Sequence, residues 1–305
     1  NTLVEQNEQA LSYIVDNLEN KDSRAVYKAL RFDLRQYKYI KMFVHAEAYK
    51  NKPLHDNQAV AFIRLGTDFS DNYYQVEIPL KVTQPGSSSE YAIWPKENQF
   101  SIPMEVLTKL KAISIRNQTL DRVTYYDANY NVVSENAPYH AGENRYVIKG
   151  NPSLGSVRAM MVGIKNVSGN NGLSGEFWFN ELRVAELENH GGWAAIGSLD
   201  ANASELLNIS ATGRMHTVGF GSVDQTPKQR ALESTQEYDV MMNVNAGKLL
   251  PPKWNMQIPV GLSHSQKRST PEYDPVYQDI KLKYRLEVAQ SSSERDVIRE
   301  QAEDF

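Results

Sequence analysis

The order of apolar and polar residues changes once near the start of the chain. In residues 2–18, apolar side chains recur every three or four positions, and Thr2 and Glu5 have the spacing of a helix capping box. This pattern predicts an N-terminal helix or linker over residues 1–24. From Ala25 onward the period becomes two, which indicates β-strands.

The alternating runs of residues 25–188 predict a β-sandwich. Turn-forming residues close several of the runs, as at residues 51–53 and 84–89. Residues 103–112 are expected to form a short helix with proline in its first turn. Residues 120–150, rich in Tyr, Asn and Pro, are expected to form a long surface loop. The long insertions favour a jelly-roll-like domain of two antiparallel sheets.

The alternation becomes longer and more regular in residues 189–305. His190, Gly191 and Gly192 indicate a hinge, and the runs that follow are about ten residues long, the length of a tilted membrane strand. The clear runs cover residues 207–216, 238–246, 254–262 and 280–288, and a weaker run covers 193–202. The predicted fold class is therefore all-β, a jelly-roll-like sandwich followed by antiparallel strands of a large transmembrane β-barrel.

The connections between these runs alternate in length, as in outer-membrane barrels. Residues 203–206 and 248–253 are short connections, whereas residues 217–236 and 265–278 are long and polar. If the long loops are external, the strand from Trp193 begins on the outer side and the sandwich lies outside the cell. Five strands cannot close a barrel, because single-chain barrels need about eight or more. We therefore expect the chain to be a segment of a longer protein.

One face of each run is polar and the other is apolar. In a barrel, the polar side chains would face a water-filled lumen and the apolar side chains would face lipid. The predicted lumen-facing residues are Asn208, Ser210, Thr212, Arg214, Asn243, Asn245, Gln257, Lys281, Lys283 and Arg285. The predicted lipid-facing residues are Val240, Val244, Ile258, Val260, Leu282 and Leu286. A second soluble β-domain would alternate equally well, but Tyr238 and Trp254 at strand starts are typical of an interfacial aromatic girdle.

Composition and charge exclude several classes of function. The chain has no cysteine, which excludes disulfides, thiolate nucleophiles and cysteine-bound metals. A net charge of -4 without a basic patch argues against nucleic-acid binding. The apolar runs span only a few residues, whereas a membrane helix needs about 20. Membrane β-strands stay possible, because half of their residues can be polar.

Candidate chemistry is sparse. The six histidines do not have metal-ligand spacing. Asp127 begins a stretch like a calcium-binding loop, but Val132 and Pro138 stand where that loop needs glycine and glutamate, which leaves only an irregular calcium site open. Trp178 and its neighbouring phenylalanines could stack on a sugar, although core packing is the favoured interpretation. We expect no catalytic residue, no cofactor and no metal ligand.

Several stretches carry a likeness that composition does not. They are residues 7–11 (NEQAL), 33–37 (DLRQY), 41–47 (KMFVHAE), 62–68 (FIRLGTD), 71–74 (DNYY), 93–98 (IWPKEN), 177–184 (FWFNELRV), 191–195 (GGWAA) and 216–221 (HTVGFG). Together they resemble the SprA (Sov) family, the outer-membrane translocon of the type IX secretion system, which some members need for gliding motility. The likeness runs in order over nearly the whole chain.

The resemblance implies a very large single-chain barrel in the bacterial outer membrane, through which folded secreted proteins pass. It also implies an external cap, a lateral opening, a separate plug protein and a PorV-type outer-membrane partner that accepts cargo. It transfers no catalytic residue. The alternative hypothesis is a cell-surface glycan-binding sandwich followed by a second soluble β-domain.

Overall fold

A computed structural model describes residues 10–50, 52–225 and 229–303. The described chain is mostly β and contains three antiparallel sheets, which confirms the all-β, sandwich-like fold class. It divides into two compact units. Unit 1 runs to Glu188 and also includes Tyr277–Ile280, and unit 2 comprises Asn189–Val276 and the chain from Lys281 onward.

Unit 1 is a sandwich of a four-stranded and a seven-stranded sheet. Its strands are β1 (Leu11–Leu18), β2 (Ser23–Phe32), β3 (Tyr37–Glu47), β4 (Ala59–Gly66), β5 (Tyr73–Pro79), β6 (Gln99–Pro103), β7 (Thr124–Tyr126), β8 (Val132–Val133), β9 (Arg145–Lys149), β10 (Val157–Asn166) and β11 (Leu173–Leu187). The small sheet has the order β1-β11-β3-β6, and the large sheet has the order β2-β10-β4-β5-β9-β7-β8. Its helices are α1 (Glu90–Ile93) and α2 (Met104–Arg116).

The core of unit 1 lies between the two sheets. Met42 and Phe177 of the small sheet and Ile63 and Val76 of the large sheet belong to one cluster of buried apolar side chains. Each fully buried large side chain of this kind stabilises the fold by about 1.5–3 kcal/mol. Helix α2 begins one residue after Pro103, as predicted, and buries its own apolar side chains in the same core.

The N-terminal helix prediction is wrong for the described residues. Residues 11–18 form β1, which pairs with β11, whereas residues 2–9 lie outside the described residues. The error has a local cause. Asn17 adopts a left-handed φ of 58°, and the pairing shifts register between Val15 and Leu18. The two buried residues of β1, Val15 and Leu18, are therefore three positions apart, which resembles the spacing of a helix.

The predicted surface loop over residues 120–150 is partly structured. It contains β7, β8 and β9, which are strands of the large sheet, and its remaining residues cover part of the outer face of that sheet. Glu77 is fully buried there, and the Tyr139 hydroxyl donates a 2.5 Å hydrogen bond to it. The Arg145 guanidinium donates to the carbonyls of Glu135 and Ala137. These contacts satisfy polar groups that would otherwise be costly to bury.

A short segment from late in the chain completes the sandwich. Asp279, between two runs of unit 2, is 2% exposed inside unit 1. Its carboxylate accepts hydrogen bonds from Lys111 Nζ at 2.6 Å, Tyr74 OH at 3.1 Å and the Leu154 N–H at 3.2 Å. Lys111 Nζ also donates to the Pro152 carbonyl at 2.7 Å. Both buried charges are thus paired and hydrogen-bonded, the condition under which such burial is tolerated.

Unit 2 contains one four-stranded antiparallel sheet and two helices. Its elements are β12 (Ala194–Ala203), β13 (Leu207–His216), β14 (Glu233–Asn245), β15 (Pro259–Pro271), α3 (Leu282–Val288) and α4 (Ser292–Glu303). The strands are paired in chain order. Within the described part of the chain, no helix is long and apolar enough to cross a membrane.

Of two strand predictions in unit 2, the one over residues 254–262 is right only from Pro259 onward and the one over residues 280–288 is wrong. Residues 252–254 form a 3-10 turn, and β15 begins only at Pro259. The adjacent prolines 251 and 252 lack N–H donors, and Asn255 has a left-handed φ of 44°, so the chain here does not fit a sheet. The run at 280–288 instead forms helix α3, because Leu282 and Leu286 also have helical spacing and pack with Ala289, Ile298 and Ala302.

Candidate functional site

The sheet β12–β15 brings the predicted polar residues of β13 and β14 onto one face. Asn208 is the direct cross-strand partner of Asn243, and paired residues of antiparallel strands point to the same side. The alternation along each strand then adds Ser210, Thr212, Arg214 and Asn245 to this face. We call it the polar face.

The opposite face is apolar along much of the sheet. Val244 pairs with both Leu207 and Val260, so these three side chains share a side. Two residues further on, Met242 pairs with Ile209 and Leu262, and then Val240 pairs with Ala211. We call these positions the apolar face. On β13 its side chains are uncharged from Leu207 to Met215, about 27 Å along the strand.

The side chains of the apolar face are not buried by any of the described residues. Val240 is 37% exposed, Val260 is 41% exposed and Leu262 is 57% exposed. A soluble sheet normally packs its apolar face against a second layer, because each buried side chain of this size contributes about 1.5–3 kcal/mol. The four-stranded sheet therefore presents an apolar surface of a kind that soluble proteins cover.

Tyr238 marks one end of the apolar face. Its hydroxyl donates to Gln266 Oε1 at 2.8 Å and lies 3.2 Å from His264 Nε2. Beyond it the same side of the sheet carries Gln236 and Arg268. An aromatic ring with a polar tip at such a border is typical of membrane strands. Tyr238 lies inside β14 and not at its start, since the strand begins at Glu233.

The other end of the apolar face lies at the tight connection of residues 204–206. Glu205 and Lys248 form an ion pair there. The next connection on this side, residues 246–258, is longer than predicted because β15 begins late. Each end of the sheet thus carries polar groups, with the uncharged stretch between them.

The polar face also carries charges that the sequence patterns did not single out. Asp200, Glu237, Asp239 and Lys267 lie on it by register, together with Arg214. Arg214 Nε lies 3.7 Å from Glu237 Oε2. The alternation of β12 is weak, and β14 and β15 beyond Tyr238 are polar on both sides, so periodicity gave no signal for Asp200, Glu237 and Lys267. Asp239 lies within the alternating run of residues 238–246 and could have been included from it. Charges of both signs keep the face wettable without a strong net field.

A family model described as motility related/secretion protein, SprA_N, matches residues 1–286 of the chain. The chain belongs to the SprA_N family. This confirms the resemblance carried by the sequence stretches. It assigns the chain to secretion and motility and indicates a place at the cell envelope. No curated protein matches the chain.

Two predicted residues of this family member lie outside its strands. Gln257 and Ile258 belong to the connection between β14 and β15. Gln257 nevertheless lines the same shallow cavity as Asn208 and Asn243. The cavity lies at the end of the sheet that carries the tight turn at residues 204–206.

Five further predicted residues do not lie on a two-faced strand. The lumen-facing prediction for Lys281, Lys283 and Arg285 and the lipid-facing prediction for Leu282 and Leu286 presupposed a strand, and this premise is wrong. Lys281 Nζ lies 3.0 Å from Glu272, and Arg285 Nε lies 3.1 Å from Asp274. Leu282 is buried in the small core of the two helices, with Leu286 packed against it.

The calcium-like stretch at Asp127 is a turn held by its own side chain. Asp127 Oδ1 accepts from the Asn129 and Asn131 N–H groups, and Oδ2 accepts from Asn131 Nδ2 at 3.0 Å. Asp68 makes the same bonds, because its Oδ1 accepts from the Ser70 and Asn72 N–H groups and its Oδ2 from Asn72 Nδ2. The Asp71 N–H also donates to Oδ1. These bonds hold the pKa of Asp68 well below its usual value. Among the described residues, no group of three or more His, Asp or Glu side chains could hold a metal ion.

His45 and Trp178 form an aromatic cluster on the outer side of the small sheet. The His45 ring is 2% exposed and stacks on Trp178 with centroids 4.5 Å apart. Its Nδ1 lies 2.8 Å from the Ile93 carbonyl. His45 is therefore a buried side chain of β3 and not a surface or loop residue. The Trp178 ring is thus covered on one side by His45. Its indole N–H donates a 2.8 Å hydrogen bond to Glu176 Oε1.

Proposed function

We propose that the sheet β12–β15 is part of the wall of a protein-conducting β-barrel in the bacterial outer membrane. The apolar face contacts lipid and the polar face contacts a water-filled lumen. In this role the chain belongs to the type IX secretion translocon and exports folded proteins, a step that some members use for gliding motility. The proposal involves no catalysis by this chain.

One observation carries the proposal. Apart from Met241 and Ile196 on the polar face, the sheet separates polar from apolar side chains by register, and its apolar face stays uncovered by the described residues. Hydrocarbon on one side and water on the other is the environment in which that arrangement is stable. A soluble second β-domain would need a further layer over Val240, Val260 and Leu262.

The lengths of the strands fit the same role. The four strands are 10 to 13 residues long. A tilted membrane strand needs about 9–11 residues. The extra residues of β14 and β15 lie beyond Tyr238 and are polar on both sides, as expected where strands continue into water.

Folded cargo needs a wide lumen, and the diameter of a barrel grows with its number of strands. Four strands therefore form one section of such a wall. The partners that follow from this role are the secreted cargo, a plug protein, a PorV-type outer-membrane protein at a lateral opening, and the bilayer. Unit 1 corresponds in this proposal to an external cap.

The test is cysteine labelling along β14. Because the chain contains no cysteine, each introduced thiol is the only one in these 305 residues. Single cysteines at Asn243 and Val244 are expected to respond in opposite ways in intact membranes. A charged maleimide should label position 243 and spare position 244, which should react with a lipid-soluble maleimide. Equal labelling of both positions by the charged reagent would contradict the proposal.

A further inference from the structure

Strand β2 is a free edge of the large sheet of unit 1. It is hydrogen-bonded to β10 on one side, and no described residue pairs with its other side. It is ten residues long, whereas β8, the strand at the opposite edge of this sheet, has two residues. A long free edge can accept a further strand, and proteins normally shorten, cover or charge such an edge.

The unpaired backbone groups of β2 belong to every second residue. The carbonyl of Asp22, just before the strand, accepts a hydrogen bond from the Asn166 N–H of β10. The next residue, Ser23, is bonded locally instead, its N–H to the Asp22 carboxylate and its carbonyl to the Arg24 guanidinium. Successive residues of an antiparallel strand form their hydrogen bonds in opposite directions, so alternate residues after Ser23 face the free edge. These residues are Ala25, Tyr27 and Ala29.

The side chains of β2 are also largely exposed. The Tyr27 side chain is 73% exposed and the Phe32 side chain is 57% exposed. Val26 and Leu30 are partly buried, because they pack against the core of the sandwich. The outer face of β2 and its free edge are therefore open within the part of the chain that the structure describes.

The strand is basic in a chain that is acidic overall. It contains Arg24, Lys28 and Arg31 and has no acidic residue, whereas the whole chain has a net charge of -4. Arg24 is the cross-strand partner of Ile164, which is buried in the core. By alternation, Val26 and Lys28 point to the same side as Arg24. A strand added at this edge would therefore meet a basic, an apolar and a basic side chain in turn.

These charges select the kind of strand that the edge can accept. Opposite charges on directly opposed residues of two strands attract, and like charges repel. A second copy of β2 would bring basic side chains close to basic side chains, which disfavours pairing between copies. A strand with a carboxylate two positions before and two positions after an apolar residue would complement the edge. Arg24 already forms an ion pair with Asp22, so Lys28 is the more discriminating position.

We propose that β2 binds an extended acidic segment of a partner protein by strand addition. The segment carries an acidic, an apolar and an acidic residue at alternate positions. Its main chain bonds to the free N–H and C=O groups of Ala25, Tyr27 and Ala29, and its carboxylates lie near Arg24 and Lys28. The site lies within unit 1 and does not depend on the proposed barrel wall.

The experiment measures hydrogen exchange of β2 in the full chain in detergent, with a synthetic peptide in millimolar excess. The probe is a blocked heptapeptide with glutamate at positions two and six, valine at position four and threonine elsewhere. The control peptide carries lysine in place of glutamate. The acidic peptide is expected to slow exchange of the N–H groups of Ala25, Tyr27 and Ala29, and the lysine peptide is not. Equal effects of the two peptides, or no effect of either, would overturn the proposal.

Three variants distinguish strand addition from simple attraction between charges. Ala25→Pro removes one free donor without touching a bond to β10, and it should abolish the protection at Tyr27. Lys28→Glu should weaken binding of the acidic peptide about tenfold and favour the lysine peptide. The matched control Lys21→Glu makes the same charge change outside the strand and should alter neither.

Two further observations complete the test. Unchanged exchange in β4 shows that the sandwich of each variant remains folded. Equal losses of affinity for the substitutions at positions 28 and 21, or full binding by the proline variant, would overturn strand addition. Protection of the free edge that rises with protein concentration, without any peptide, would make a second copy of the chain the occupant and would also overturn the proposal.

Discussion

The sheets of unit 1 and the sheet of unit 2 are built from similar alternating strands but treat their apolar side chains differently. In the large sheet of unit 1, Tyr74 is 1% exposed and Val76 is 0% exposed. In unit 2, Val240 and Leu262 occupy equivalent alternating positions and are 37% and 57% exposed. Alternation therefore shows that the two faces of a strand differ. Burial shows which of these faces the rest of the protein covers.

The polar side chains of the two units also differ in burial. Glu77 and Asp279 in unit 1 are buried, and each has specific hydrogen-bond donors. Asn208, Ser210 and Asn243 in unit 2 are exposed on an open face. A buried polar group needs a hydrogen-bond partner within the protein, whereas a polar group on an exposed face can bond to water. The comparison predicts different responses to substitution in the two units.

The largest effect is expected at Asp279. Asp279→Ala leaves the Lys111 ammonium buried without its carboxylate, which should lower the free energy of unfolding of unit 1 by about 3–5 kcal/mol. The measurement is urea unfolding of the full chain, followed through Trp94 and Trp178, both in unit 1. The matched control is Asp121→Ala, where the side chain is exposed. Similar losses for both variants would contradict the importance of the buried pair.

The second effect distinguishes the two faces of unit 2. Val244→Arg should cost about 2–4 kcal/mol if the side chain lies near the middle of the bilayer, and assembly in the membrane should fall accordingly. Asn243→Arg, one residue earlier on the polar face, should assemble normally. Heat-modifiable mobility of the outer-membrane fraction measures assembly. Equal tolerance of both substitutions would mean that the two faces meet the same medium.

A smaller effect is expected at Tyr74. Tyr74→Phe removes one hydrogen bond to the buried Asp279 carboxylate, and bonds to charged groups contribute about 1.5–3 kcal/mol. The matched control is Tyr146→Phe, which removes a hydroxyl that accepts a 3.3 Å hydrogen bond from Asn144. That change should cost about 0.5–1.5 kcal/mol. Urea unfolding of both variants provides the comparison, and a reversed order would argue against a special role for Asp279.

The smallest effect is a pH dependence at Asp68. Donation from the Asp71 N–H and its neighbours holds the folded-state pKa below the unfolded value of about 3.9. The carboxylate therefore stabilises its turn above about pH 4, and this contribution is lost as the pH falls through the folded-state pKa. Asp68→Asn should flatten the acid limb of the thermal midpoint plotted against pH. If the acid limb of the variant is as steep as that of the wild type, the loss of stability at low pH comes from other carboxyl groups.

Part of this fold was predictable from local pattern. The runs at residues 207–216 and 238–246 became β13 and part of β14, because long alternation on a regular strand has few competing interpretations. Helix α2 was predicted near its start, since Pro103 stands immediately before it, and it continues past the predicted end at residue 112 to Arg116. The same regular alternation predicted which residues of β13 and β14 share the polar face.

The remaining elements depended on contacts that are distant in sequence or on local irregularities. β1 was missed because the left-handed Asn17 shifts its register. The run at 280–288 fits either period, and only packing against Ile298 selects the helix. Asp279 lies in a polar stretch with no local signal, and its partner Lys111 is 168 residues away.

The late position of Asp279 also bears on how the protein is made and handled. During synthesis, the Lys111 side chain emerges long before the carboxylate that neutralises it, so the first half of the chain cannot reach its final packing until residue 279 has been added. A recombinant fragment that stops at Glu188 would lack Asp279 permanently. Supplying residues 277–280 through a short engineered linker is a direct way to obtain the first unit in a stable form.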